Sequence, residues 1–442
     1  VTQPWARSGR FVPRTFVRPF LRFADREASS GIALIVAAAF GLIWANLNFD
    51  SYESFFATSI RFELGPLHLD ETLRGFVNDG LMAIFFFVVG LEIKRELVVG
   101  DLREPRAALL PILAALGGMI VPALLYLALA GSAPGAERGW GVPMATDIAF
   151  AVGVLALVGK RVPVGAKLFL LTLAIADDIG AIAVIAIFYS GPLSIGWLVV
   201  AVAALVGVWG AGRVGIRSLG VYLPLALLAW LATLESGVHA TLAGVALGLL
   251  TPASPFYALG EFRSQSGPIL QKLVTEDDDV WERESADFSL LTIAEFARES
   301  VSPLTRIEPA LSLWSAFVVV PIFALANGGI NFGSGLVNLT SPIALGVGLG
   351  LLVGKAVGVS LFTLLGTASG LSLPSGMTRR HVFGVSILAG IGFTVALFIA
   401  GLAFDDRQHF VDARVGIFAA SIAAALLGLA VLRFGGSRRA GV

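Results

Sequence analysis

The stretch LTLAIADDIGAIAVIAIFYS, residues 171–190, sets two adjacent carboxylates, Asp177 and Asp178, inside a run that is otherwise nearly all apolar. The run is long enough to cross a bilayer, which takes about 20 apolar residues in a helix. An ionisable group at mid-bilayer costs about 2.5–3.5 kcal/mol on insertion scales, so two of them side by side need a reason to be there. The fold turns on whether this run lies in a membrane, and the function on what the two acids meet there.

Composition answers the first point. Of 442 residues, 56% are hydrophobic and only 14% charged, against about 25% charged in a typical soluble domain. This is a membrane protein by composition. The formal net charge is zero, so bulk charge offers nothing to nucleic acid. The absence of Cys excludes disulfides and thiolate metal sites, and no resident cofactor is expected. The 51 glycines suit helices that pack closely or break within a bilayer.

The first thirty residues lack the continuous apolar core of a signal peptide. They carry Arg7, Arg10, Arg14, Arg18, Arg22 and Arg26, interleaved with Phe11, Phe16, Phe20 and Phe23. Two readings stand: a solvated tail, or an amphipathic helix lying on anionic lipid. Val1 in place of Met fits either an alternative start codon or a trimmed chain.

Twelve candidate spans follow, at residues 31–47, 77–93, 107–130, 141–158, 167–189, 193–212, 219–234, 236–250, 311–327, 342–365, 382–404 and 411–432. With the N-terminus cytoplasmic, 25 of the 31 Lys and Arg residues fall on inside segments. Arg61, Arg74, Arg138, Arg407 and Arg414 fall outside, and Lys355 lies within a span. A span miscounted early in the chain would destroy that asymmetry, so both termini are expected inside. The chain then divides into a basic tail (1–30), spans 1–8 (31–251), a long cytoplasmic loop (252–309), spans 9–12 (310–434) and a short tail (435–442).

Two connections stand out. IRFELGPLHLDETL, residues 60–73, alternates apolar and polar around Gly65-Pro66 and reads as an exposed β-hairpin over about 57–71. A lone hairpin is marginal in water, so this one calls for a partner surface. The loop 252–309 is acidic at TEDDDVWERE and holds short apolar runs such as FSLLTIAEFA, which predict a mobile segment with one or two surface helices.

Asp147, Asp177, Asp178 and Lys355 all fall inside predicted spans. Neighbouring residues on a helix lie about 100° apart, so Asp177 and Asp178 point to adjoining faces. One acid can line a water-filled site while the other pairs with a different helix. Packed close and poorly solvated, at least one holds its proton more tightly than in water, and such a pair also binds a small hard cation. A structural ion pair accounts for one acid and hardly for two. Lys355, in VGLGLLVGKAVGVSLFTLL, cannot reach the interface from mid-span and needs an anionic partner; the Asp pair is the obvious one. A Schiff-base lysine with Asp counter-ions is the other use of such a residue, but that calls for about seven spans and an aromatic lining.

Asp147 lies in GWGVPMATDIAFAVGVL, where Gly139, Gly141, Pro143 and Gly153 weaken the helix. FGVSILAGIGFTVALFIAGLAF repeats the feature with Gly384, Gly390 and Gly392. Each interruption sits in the middle member of a three-span block, spans 3–5 and 10–12. This predicts an all-α polytopic protein with inverted-topology repeats and two discontinuous helices, spans 4 and 11, crossing at the midplane. Facing half-helix ends concentrate like partial charges; Asp147 can neutralise the positive ends and Lys355 the negative ones, with the Thr146 hydroxyl close by.

Together, ATDIAFAVGVLAL, LAIADDIGAIAVIAIFYS, SGVHATLAGVALG, VGKAVGVSLF and GVSILAGIGFTVALFIAGLAF resemble the NhaA-type sodium/proton antiporters. VNDGLMAIFFFVVGLEIKREL looks like that family's second span. The resemblance runs over residues 31–432 apart from much of 252–305. That family is itself a known example of inverted-topology repeats, so the repeat reading and the resemblance are not independent. The resemblance implies exchange of one Na⁺ or Li⁺ for two protons by alternating access, in a bacterial inner membrane. It places the ion at Asp178 with Asp177 close by, pairs Asp177 with Lys355 in the proton-loaded or ion-free state, and puts Asp147 and Thr146 at the broken fourth span. It assigns pH regulation to a cytoplasmic funnel of Glu92, Arg95, Glu96 and Glu308, and homodimerisation to the hairpin. One departure is that Glu308 is followed by Pro309 where the family often has His.

Two other classes compete. An intramembrane aspartyl protease also uses two buried acids, but they must meet face to face, which adjacent residues on one helix cannot do. Asp147 with Asp178 could form a dyad, yet no Gly-x-Gly-Asp signature surrounds either. A sodium-coupled solute symporter needs a larger polar cavity than these spans advertise.

Overall fold

Within a bilayer every backbone N–H and C=O must be satisfied inside its own segment, so long apolar runs become helices. The computed structural model describes residues 28–64, 67–216, 218–275, 280–335 and 337–434. The helices are α1 (Ala28–Leu47), α2 (Phe49–Phe56), α3 (Leu73–Val98), α4 (Pro105–Ala130), α5 (Ile148–Val158), α6 (Val164–Phe188), α7 (Ile195–Val214), α8 (Leu219–Glu235) and α9 (Thr241–Leu250). After these come α10 (Leu259–Thr275), α11 (Val280–Glu299), α12 (Pro303–Asn327), α13 (Pro342–Ala368), α14 (Arg379–Leu388), α15 (Phe393–Ala403) and α16 (Arg407–Phe434).

Among the described residues nine helical segments are long and apolar enough to cross a membrane, and ten if α14 and α15 form one bent span. The expectation of twelve also needs α8 and α9, which are apolar but only 17 and 10 residues long. Apolar side chains such as Val199 and Val206 on α7, each 57% exposed or more, face outward. Lipid is the solvent that suits them.

The chain breaks where its glycines and Pro143 predict. A tight 3₁₀ run, Glu137–Met144, gives way to extended backbone at Ala145 and Asp147 before α5 begins. The second break lies between α14 and α15, whose axes differ by 48°. The two breaks touch, since the Asp147 N–H donates to the Ile391 carbonyl at 2.6 Å. Gly392 permits this approach: a Cβ there would lie 3.0 Å from the Ala145 carbonyl oxygen and 2.7 Å from Leu351.

The hairpin forms as read. Strand β1 (Ser59–Leu64) pairs antiparallel with β2 (Leu67–Thr72), Ser59 opposite Thr72 and Arg61 opposite Asp70. Its predicted turn residues, Gly65-Pro66, lie outside the described residues, as do the basic N-terminal segment and the C-terminal tail. The long loop contains two helices, α10 and α11, the upper end of the expectation.

Candidate functional site

The site is assembled by four elements. Helix α6 brings Asp177 and Asp178, α13 brings Lys355, and the two breaks bring Thr146, Asp147 and the Ala389 carbonyl. Lys355 follows directly on a π-helical turn, Gly350–Gly354, set in an otherwise α-helical span. Such turns are rare and collect at functional sites.

Lys355 and Asp177 are both 0% exposed. The Lys355 ammonium donates to Asp177 Oδ2 at 2.5 Å. Thr146 Oγ1 lies 2.7 Å from the same oxygen and 2.8 Å from the Ala389 carbonyl. A hydroxyl has one proton, so its bond to Asp177 and its bond to the end of α14 compete. Thr146 thus meets the carbonyl at the end of α14, and the Lys355 ammonium meets Asp177.

Asp147 does what half-helix electrostatics asks. Its Oδ1 accepts from the Phe150 N–H at 2.9 Å, capping α5. Its Oδ2 accepts from the Thr394 N–H at 3.1 Å and the Thr394 hydroxyl at 2.7 Å, capping α15. One carboxylate therefore serves two facing helix N-termini, each a partial positive charge. Thr394 was not anticipated; its place two residues after Gly392 in the second interruption was the available signal.

Asp178 differs from its neighbour. It is 6% exposed, and among the described residues its Oδ1 has no hydrogen-bond partner, like Oδ1 of Asp177. Asp177, Glu92, Asp147 and Lys355 are the charges within electrostatic reach of it. Buried carboxylate oxygens without partners cost free energy unless a proton or a cation satisfies them. Oxygen donors of this kind suit a small hard cation held in passing, with water completing its shell.

The four residues grouped for regulation also come together. Arg95 donates to Glu308 Oε1 at 2.5 Å and lies 3.5 Å from Glu96 Oε1. Glu92, one turn earlier on α3, is within electrostatic reach of all three.

A multi-span helical protein with broken helices crossing at a buried carboxylate–lysine pair is built as an ion-coupled membrane transporter. The sequence matches the family described as Na⁺/H⁺ antiporter 1 over residues 21–432. It is 44% identical to the Na⁺/H⁺ antiporter NhaA of Oleidesulfovibrio alaskensis over 421 residues, 94% of this chain and 93% of that protein. It is 44% identical to the NhaA of Rhodopirellula baltica, covering 94% of each chain. It is 45% identical to the NhaA of an Anaeromyxobacter strain over 94% of this chain and 91% of that one. The chain belongs to the NhaA Na⁺/H⁺ antiporter family.

Proposed function

We propose that this protein exchanges Na⁺ for protons across a bacterial inner membrane by alternating access, two protons moving for each Na⁺, with Li⁺ as an alternative cargo. The observation that carries the reading is the pairing of Asp177 with Lys355 beside Asp178, a buried carboxylate whose Oδ1 has no protein partner. Deprotonated Asp178 binds the cation with help from Asp177 Oδ1; protonation removes the charge and releases it. Lys355 holds Asp177 when the cation is absent. Thr146 exchanges its proton between Asp177 and the end of α14 as the pair changes state, and Asp147 keeps the crossing neutral.

The finer architecture belongs to the same proposal. Twelve spans, with α8 and α9 as short ones, form two inverted repeats, and both termini are cytoplasmic. Spans 3–5 and 10–12 rock as a block against the rest when the site is loaded with Na⁺ or protons, and not when it is empty and charged. Glu92, Arg95, Glu96 and Glu308 tune activity to pH from the cytoplasmic side. Two copies pair through the hairpin β1–β2.

The test is purified protein in proteoliposomes, with Na⁺- and Li⁺-driven dissipation of a pH gradient scanned over external pH, with and without an imposed potential. Exchange that responds to voltage is expected. Indifference to voltage would overturn the two-to-one coupling, and no cation-dependent proton movement at any pH would overturn the function.

A further inference from the structure

Three of the five basic residues that charge asymmetry places outside the membrane, Arg74, Arg407 and Arg414, line one cavity of about 140 Å³. The acid that faces them is Glu53, which Arg74 grips with both arms at 2.8 and 3.1 Å. Arg407 makes no ion pair among the described residues; its guanidinium lies 5.2 Å from the Phe49 ring centroid. Arg414 is 8% exposed, lies against Phe410 and donates one arm to the Gly329 carbonyl. Among the described residues its Nε has no hydrogen-bond partner, and neither has that of Arg74.

Titratable groups within electrostatic reach of Arg414 include Arg74, Arg407, Glu53 and the neutral Tyr52 phenol. Tyr52 directs its hydroxyl to the last carbonyls of α12, Leu325 and Ala326. Asp412, on the same helix as Arg414, accepts from Gln408 at 2.9 Å. Of the residues that line this half-enclosed cavity, three are guanidiniums and one, Glu53, is a carboxylate. The bond to the Gly329 carbonyl, two residues past α12, accounts for Arg414, and the Glu53 pair accounts for Arg74. Neither accounts for Arg407, nor for the cavity between them.

We propose that this cavity binds one tetrahedral oxyanion of the phosphate or sulfate type, either free or as the phosphodiester of a lipid headgroup. Guanidinium forks match such oxygens in geometry and charge. The cavity is well above the roughly 10–15 Å³ that one water needs, so it has room for an oxyanion and accompanying water. It joins α2, α3 and the segment after α12 to α16. On the rocking reading above, an anion here braces the mobile block against the rest. Binding itself does not depend on that reading.

Purified full-length protein in neutral detergent tests this by thermal unfolding in N-methylglucamine salts, which keep Na⁺ out. Phosphate and sulfate are titrated against gluconate at matched ionic strength, and a second arm adds phosphatidylglycerol against phosphatidylcholine. Wild type is expected to give a saturating rise in Tm, in the first arm for a free anion or in the second for a headgroup. In Arg407→Gln the half-saturating concentration rises about tenfold or more, the loss of one charge-assisted hydrogen bond. Glu53→Gln, which removes the opposing charge, shifts it the other way. Sulfate stabilises proteins generally by exclusion from their surface. Equal, non-saturating shifts in wild type and both variants, or no shift in either arm, would overturn the site. Both outcomes leave exchange activity untouched and separately measurable.

Discussion

The Lys355 ammonium lies 2.5 Å from Asp177 Oδ2 with neither side chain exposed, while Asp178, the next residue on α6, has a buried oxygen with no hydrogen-bond partner among the described residues. Adjacent acids on one helix therefore live in different electrostatic circumstances. That difference separates what each substitution does to stability from what it does to transport.

Breaking the pair from the lysine side leaves a buried carboxylate uncompensated. Lys355→Ala is expected to destabilise the protein by about 3–5 kcal/mol, the usual cost of removing one partner of a buried pair. Adding Asp177→Asn should restore much of that loss, because the orphaned charge goes with it. Thermal unfolding of the two single variants and the double variant in detergent closes the cycle. Additive losses would mean that the two groups do not interact as the distance implies.

Asp178 predicts the opposite pattern. Its Oδ1 makes no hydrogen bond that a substitution could break. Asp178→Asn should therefore leave Tm unchanged or raise it, as removal of an unsatisfied buried charge does. Exchange of Na⁺ for protons in proteoliposomes should fall to background. Retained exchange would remove Asp178 from the cation site.

Much of this site was legible in the sequence because charge in an apolar span is so costly that it announces itself. Asp147, Asp177, Asp178 and Lys355 stood out for that reason, and the breaks stood out through Gly390, Gly392 and Pro143. Thr394 and the Ala389 carbonyl did not, since a hydroxyl in a span is cheap and a carbonyl is everywhere. Their roles come from two breaks touching across more than two hundred residues, which no local pattern encodes. The apolar helices α8 and α9 stood out by composition, whereas their lengths of 17 and 10 residues did not. The arginine cavity was half legible: its three members were visible as rare basic residues expected outside, but their convergence was not.

The close approach of α4 to α13 fixes how far Lys355 reaches. A Cβ on Gly358 would collide with the Gly117 carbonyl oxygen and lie 3.0 Å from Val121. Gly358→Ala should push the helices apart at a cost of about 1–3 kcal/mol. It should also weaken apparent Na⁺ affinity by shifting Lys355, one turn away. Gly370→Ala, where a Cβ meets nothing within 4 Å, is no neutral control because its φ of 99° needs glycine. Gly196→Ala on α7 has the space without that strain and should leave affinity unchanged. Equal affinity in Gly358→Ala and wild type would count against helix spacing as the determinant.

Asp147 caps two helices at once, so charge and hydrogen bonding can be separated there. Asp147→Asn keeps an acceptor for one helix end and loses the charge; Asp147→Ala loses both caps. Each lost cap costs about 0.5–2 kcal/mol. Unfolding temperatures should therefore fall in the order wild type, Asn, Ala. A Thr394→Val variant, which keeps the backbone bond and loses only the hydroxyl bond, should lie nearer wild type. An Asn variant as unstable as Ala would show that charge alone neutralises the crossing.

On α2, which is not among the spans, Glu53 is bonded by the Arg74 guanidinium, which holds that carboxyl below its usual 4.5 against the opposing effect of partial burial. A depressed pKa contributes stability that is fully present above the unfolded-state value and is lost as pH falls through the folded one. The loss therefore lies on the acid side, beginning near 4.5 and continuing below it. Glu53 is more than a third exposed, so solvent and salt keep the contribution small. Unfolding temperatures of wild type and Glu53→Gln, measured without phosphate or sulfate, should differ at neutral pH and converge as the carboxyl protonates. The gap should narrow in high salt. A gap that widens in acid would mean that Glu53 opposes the fold, and that Arg74 is held in the cavity by something other than this pair.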